Sequence, residues 1–343
     1  MDKSVPTRNL ALELVRVTEA AALAAGRYVG SGDKKLADKA AVDAMRLVLN
    51  SIEMDGVIVI GEGEKDEAPM LYNGERIGNG EPPMVDIAVD PIDGTRPAAY
   101  GLPNSITTVA LAPRGTMFNP GPFVYMNKIA VGPAARDVID IEAPVEENLR
   151  KIAKAKGENV NDLTAVILDR PRHKELITQV RKMGVRIRMI PDGDVSGAIM
   201  TSWPNSGVDV LLGIGGTPEG VLAACAMQCL GGCIMGKMYA RNERDLERAA
   251  EYGYDFNKVY TQDDLISSED TFFAATGLTN GDLLKGLDYS SDGAQTHSLV
   301  MRGLTGTVRE ITAYHRMSKL NRISSISYSG SEQLSAEEVQ KID

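Results

Sequence analysis

Thr164-Ala-Val-Ile-Leu168, Arg186-Ile-Arg-Met-Ile190 and Val208-Asp-Val-Leu-Leu212 are three short, β-branched runs, and stretches of helical spacing at about Arg172–Lys182, Val195–Ser202 and Pro218–Leu230 separate and follow them. Apolar runs this brief are too short for helices and read as buried strands. Strand and helix alternate, which predicts an α/β layered sandwich. Working back from this stretch, Lys128–Val131 and Ile106–Ala112 read as further strands. Met84–Val89 alternates, with Val85, Ile87 and Val89 on one side and Asp86, Ala88 and Asp90 on the other. Val57–Ile60, between Gly56 and Gly61, is a short buried strand. The chain opens with two helices. Leu10, Leu14, Val17, Ala21, Ala24 and Tyr28 line one face of Asn9–Tyr28, and Val42, Met45, Leu49 and Ile52 line one face of Ala37–Ile52. A polar run at about 142–162 suggests a boundary between subdomains 1–150 and 151–323, followed by a polar tail, 324–343.

Composition narrows the class. The 343 residues carry 37 Lys plus Arg against 47 Asp plus Glu, a net charge of −10, with 43% hydrophobic positions, as in an ordinary soluble globular protein. The acidic balance and only 5% aromatic residues argue against nucleic acid as a partner and leave small molecules and metals. The three cysteines, Cys225, Cys229 and Cys233, are odd in number, so a disulfide framework is not expected and a reducing cytoplasm fits. Their spacing follows one stripe of the Pro218–Leu230 helix and its extension, which is the pattern of packing residues. No stretch reaches about 18 uninterrupted apolar residues and no export signal opens the chain, so neither a membrane span nor secretion is expected.

The chemistry lies in acidic residues after two strands. Glu62, Glu64, Asp66 and Glu67 follow Val57–Ile60, and Asp90 and Asp93 follow Met84–Val89. Ligands of layered α/β proteins sit at carboxyl ends of strands, and carboxylates gathered there repel unless cations lie between them. Oxygen donors suit Mg²⁺ or Mn²⁺; zinc would want histidine or cysteine, and His173, His297 and His315 are scattered. Glu64, Glu67, Glu75 and Glu81 read by themselves as solvated loop acids. Asp90-Pro91-Ile92-Asp93-Gly94-Thr95 is different, because a rigid Pro and a permissive Gly hold three oxygen side chains within one turn. Glu219 falls in the first turn of its helix, with Thr217 as N-cap and Pro218 as first helical residue. Arg170-Pro171-Arg172 is either a helix start with exposed arginines or a grip for an anion. Asp192-Gly193-Asp194 is either a turn with a helix cap or a set of acceptors for ligand hydroxyls.

The hexapeptide Asp90–Thr95 resembles the metal-binding signature of the lithium-sensitive, magnesium-dependent sugar and inositol phosphatases. Gly61–Glu64, Asp66–Tyr72, Asp169–His173, Pro191–Val195 and Gly215–Gly220 narrow the likeness to the class II bacterial fructose-1,6-bisphosphatases, in order, from about Asn9 to Leu320. The resemblance implies an α-β-α-β-α sandwich of two subdomains. It implies Asp38 and Glu62 as ligands of one metal, and Asp90, Asp93 and Glu219 as ligands of another. Substrate contacts carried over are Asp93, Gly94 and Thr95, then Tyr125, Arg170, Pro171 and Arg172, then Asp192, Gly193, Asp194 and Gly216. The implied reaction removes the 1-phosphate of fructose 1,6-bisphosphate, a gluconeogenic step, in a cytoplasmic homo-oligomer. Water is then the nucleophile, with Thr95 orienting it, Asp66 accepting its proton and Lys34 adding positive charge at the phosphoryl group. The chain departs from the usual pattern at Lys39, where relatives have Gly, and at Arg96-Pro97-Ala98. Rival expectations are sedoheptulose 1,7-bisphosphate or inositol monophosphate as substrate, and a noncatalytic phosphate-binding regulatory protein.

Overall fold

A computed structural model describes residues 9–63, 70–291, 293–326 and 328. The chain begins with α1 (Ala11–Ala25), α2 (Lys34–Leu49), β1 (Asp55–Ile60), β2 (Arg76–Ile77), β3 (Met84–Asp93), α3 (Thr95–Tyr100) and β4 (Ile106–Pro113). It continues through β5 (Tyr125–Val131), α4 (Val145–Lys156), β6 (Thr164–Leu168), α5 (Lys174–Lys182), β7 (Arg186–Ile190), α6 (Asp194–Met200), β8 (Val210–Gly216) and α7 (Thr217–Leu230). Then follow β9 (Cys233–Met238), α8 (Glu243–Tyr252), β10 (Val259–Tyr260), α9 (Gln262–Leu265), β11 (Phe272–Gly277), β12 (Asp288–Tyr289), β13 (Gly293–Arg302), β14 (Thr307–Arg316) and α10 (Met317–Ile323).

Two sheets result. The first runs β12-β13-β11-β4-β3-β1-β2 with β14 on β13, and the second runs β10-β9-β5-β8-β6-β7. The residues between β4 and β11 build the second sheet, and β11–β14 then complete the first. The polar run near 142–162 is α4 and its flanks, inside the second sheet's stretch of chain.

The layering follows from which faces are apolar. Val221, Leu222, Ala223, Ala224, Cys225, Ala226 and Met227 are all buried, so α7 is apolar all round and must lie inside the molecule. Its small side chains let it fit with α6 between the two sheets, touching Ala88 and Ala110 of the first and Met126 and Leu211 of the second in one core. Val85, Ile87 and Val89 turn to the other face of the first sheet and pack under α1 and α2. Ala165, Ile167, Val210 and Leu212 do the same under α4 and α5. The order is therefore helix, sheet, helix, sheet, helix, an α/β layered sandwich as the alternation predicts, with the five layers that the resemblance implies.

Local details correct several expectations. The second helix begins at Lys34, because the Asp33 carboxylate caps it by accepting the N–H groups of Lys35 (2.8 Å) and Leu36 (3.2 Å). Asp38 thus stands a turn inside α2 instead of at its head. Thr217 is the first helical residue of α7 and Gly216 its N-cap. The helix stops at Gly231, whose φ of 73° only glycine adopts freely, so Cys233 lies on β9 and does not extend the helical stripe. Glu75, expected as a loop acid, is buried and paired with Arg46 Nε at 2.6 Å. Among the described residues no helix is long and apolar enough to cross a membrane.

Candidate active site

At the end of β3 the pairing with β4 slips by one residue, Asp90 standing opposite Thr108 and Asp93 opposite Ile106. This bulge re-aims the strand end. The Asp90 carboxylate accepts the Ile92 N–H at 3.1 Å, which tightens the turn. Gly94, with φ 89°, then turns the chain into α3, where a side chain would press on the Asn104 carbonyl at 3.3 Å. Thr95 opens α3, and its hydroxyl donates to the Ile92 carbonyl at 3.1 Å.

Three other elements bring acids to the same place. Asp38 comes from α2, Glu62 from the end of β1 and Glu219 from the first turn of α7. The Asp38 and Glu62 carboxyls are close neighbours that interact directly. Burial pushes the Glu62 carboxyl up to about 8, and repulsion from Asp38 and Glu219 adds to it. Burial also raises Asp90, with repulsion from Asp93, Glu219, Glu62 and Asp38 behind it. Asp93 is raised by burial and by Asp194 and Glu219, against a Ser196 N–H that favours its charged form. Glu219 is raised by burial and by Asp194, and Lys128 opposes that rise. A Cβ at position 216 would overlap Glu219 Oε2, so glycine there makes room for this carboxylate.

These donors fit a hard divalent cation. They are all oxygen and mutually repelling, Asp93 buried and the others half-buried, and Glu219 Oε2 is enclosed with no hydrogen-bond partner. Among the described residues, however, no three acidic, histidine or cysteine side chains already stand in metal-binding geometry. The carboxylates share one electrostatic neighbourhood and would have to close by rotamer adjustment around an ion.

Beside the carboxylates lies a cleft of about 320 Å³, lined by Asp93, Tyr125, Arg170, Arg172, Asp192 and Gly216 among others. Arg170 donates to the Pro191 carbonyl at 2.5 Å and pairs with Asp192 at 3.2 Å. The Arg172 guanidinium donates twice to the Ile214 carbonyl, at 3.1 and 2.8 Å, and lies 5.3 Å from the Tyr125 ring centroid. Pro171 is exposed and starts a short turn leading to α5. Gly193, with φ 83°, lets the backbone before α6 pass against Asp93, and Asp194 is buried behind it. Lys34 is exposed at the start of α2 and does not line this cleft. Asp66 lies outside the described residues, as do Glu64 and Glu67. A larger hollow, about 540 Å³, lies between α1, α2 and the chain after α10, but among the described residues Glu19 is the only acid lining it.

Sequence reasoning missed Lys128. It is 2% exposed, and its ammonium donates to the Gly216 carbonyl at 2.8 Å and pairs with Asp194 at 2.6 Å. The strand was read as starting at Lys128, where a charge faces solvent; it starts at Tyr125, which puts the lysine in mid-sheet between β8 and β9. A lysine inside a strand that is otherwise Met, Ile, Ala and Val was the available signal.

With this geometry in view, residues 8–315 match the model of a family described as bacterial fructose-1,6-bisphosphatase, glpX-encoded. The chain belongs to this family. It is 45% identical over 332 residues to fructose-1,6-bisphosphatase class 2 of Haemophilus influenzae, covering 93% of this chain and 99% of that protein. It is also 45% identical over 325 residues to fructose-1,6-bisphosphatase 1 class 2 of Escherichia coli K12, covering 91% of this chain and 96% of that protein. The resemblance drawn from the motifs to class II fructose-1,6-bisphosphatases is thereby borne out.

Proposed function

We infer that this chain is a phosphatase that hydrolyses the 1-phosphate of fructose 1,6-bisphosphate to fructose 6-phosphate and phosphate. The observation that carries this reading is the meeting of carboxylates from α2, β1, β3 and α7 beside a cleft bearing two arginines. Asp38 and Glu62 would hold one Mg²⁺ or Mn²⁺ ion, and Asp90, Asp93 and Glu219 a second. Such ions, when bound, neutralise phosphate charge and make a water nucleophilic at neutral pH.

The chain's own residues supply the rest. Thr95 orients the attacking water, and its hydroxyl is placed by the Ile92 carbonyl. Asp66 accepts the proton, and Lys34, outside the cleft but one helical turn before Asp38 on α2, adds positive charge from the side of that carboxylate. Arg170, Pro171 and Arg172 take the second phosphate, since guanidinium forks match phosphate oxygens. Asp192, Gly193 and Asp194 meet sugar hydroxyls, with Tyr125, Gly94 and Gly216 shaping the cleft. On this reading 1–150 carries most metal ligands and 151–323 most substrate contacts, with 324–343 as a tail. A cytoplasmic location and self-association of the chain belong to the same proposal.

The test is phosphate release from fructose 1,6-bisphosphate, sedoheptulose 1,7-bisphosphate and inositol monophosphate, with metal and with chelator. The reading expects the first to have the highest kcat/KM. A preference for inositol monophosphate would replace it by a related activity, and no hydrolysis at all would point to a phosphate-binding protein.

A further inference from the structure

His173 is the one histidine of the chain with almost no surface, at 1% exposed. Its Nδ1 lies 2.7 Å from the Leu168 carbonyl, at the end of β6, and its Nε2 lies 2.8 Å from the Ile214 N–H, on β8. A carbonyl only accepts and an N–H only donates, so Nδ1 carries the proton and Nε2 does not. The ring is therefore a neutral bridge of fixed tautomer between the ends of two neighbouring strands. Burial, which lowers its affinity for a second proton, agrees with this. Gly213 marks how closely the ring and backbone approach, because a Cβ there would lie 2.9 Å from Nε2 on a backbone of φ 120°.

The same Ile214 residue holds Arg172. Its N–H is taken by His173 and its carbonyl receives both Arg172 donors. Ile214 is held on one side by the β5–β8 ladder, opposite Asn127, but the β6–β8 pairing is registered only as far as Leu211, so on this edge the His173 ring is what holds the residue to which Arg172 is anchored. We propose that His173 is a positioning residue for substrate recognition: through Ile214 it fixes the Arg172 guanidinium over Tyr125 in the orientation that receives the phosphate remote from the scissile one. The inference rests on Arg172 contacting that phosphate, as argued above.

The test compares fructose 1,6-bisphosphate with fructose 1-phosphate, which lacks the remote phosphate, for wild type and for His173→Asn, His173→Gln and Arg172→Ala/His173→Asn. Gln places an acceptor near the Nε2 position, whereas Asn keeps only a donor near Nδ1. H173N should raise KM for the bisphosphate by about ten-fold, and far less for the monophosphate, with kcat little changed. H173Q should bring KM back to within about three-fold of wild type. In the background of Arg172→Ala, H173N should add no further rise, since the residue it positions is gone. Equal losses on both substrates, identical behaviour of H173Q and H173N, or additive effects in the double variant would each overturn the proposal. Should H173N fail to fold, H173Q alone decides by the ratio of its KM values on the two substrates. Failure of the wild-type protein to hydrolyse the bisphosphate would refute the functional reading itself, independently of these variants.

Discussion

At the scale of single residues, the site depends on places where side chains are missing as much as on those present. Gly216 has no Cβ because Glu219 Oε2 occupies that space, and Gly94 and Gly193 carry positive φ on either side of Asp93. Gly216→Ala should therefore displace the Glu219 carboxylate and lower kcat at saturating Mg²⁺ or Mn²⁺ by about a hundred-fold, while circular dichroism stays that of wild type. Thr95→Ala should lower kcat more than it changes KM, because the hydroxyl's action on the attacking water outweighs its contact with substrate. Away from the site, Glu19 on α1 accepts the Thr296 hydroxyl, and burial raises it to about 6 from 4.5. A carboxyl raised on folding contributes stability that is whole below about 4.5 and is lost as pH rises through about 6. Glu19→Gln, which keeps an acceptor for Thr296, should stabilise the protein at pH 8 by at most about 2 kcal/mol and do nothing at pH 4, as read by urea unfolding.

Elements were legible in the sequence where their pattern was local. The strands Thr164–Leu168 and Arg186–Ile190 stand where the apolar runs put them, and α7 spans Thr217–Leu230, one residue longer than expected. Strands β9 to β14 were not read, because β13 mixes Gly, Gln, Thr and His with its apolar residues and β14 is largely exposed. β11 pairs with β4 and β9 with β5, far away in the chain, so no local period announces those pairings. The start of α2 was misplaced for a related reason: apolar periodicity begins at Ala37, but the cap at Asp33 decides where the helix starts. That cap predicts that Asp33→Ala costs about 1 kcal/mol of stability and, by fraying the turn before Asp38, weakens metal activation. A calorimetric titration with Mn²⁺ checks the second effect, and unchanged affinity would remove the link from cap to Asp38.

For the whole molecule, two sheets and a buried helical layer bring together acids that are 181 positions apart in the sequence, from Asp38 to Glu219. The motifs named these residues, but neither composition nor spacing could say that they meet, since their proximity is a property of the packed layers. Lys128 was hidden for the same reason: only the assembled second sheet shows that it is enclosed between Asp194 and Gly216. Carboxylates forced together in this way weaken the fold until a cation lies among them. Saturating Mg²⁺ or Mn²⁺ should accordingly raise Tm by several degrees at pH 8, chelator should reverse the gain, and Glu219→Gln should shrink it. A Tm that ignores the metal in wild type would contradict the convergence.

The most direct measurement is the initial rate of phosphate release from fructose 1,6-bisphosphate by the purified chain, with Mn²⁺ or Mg²⁺, with chelator, and after Glu219→Gln. Release that needs the ion and falls by at least about a hundred-fold in the variant is the predicted result. Wild-type turnover that persists in chelator, or E219Q turnover equal to wild type at saturating metal, would contradict it.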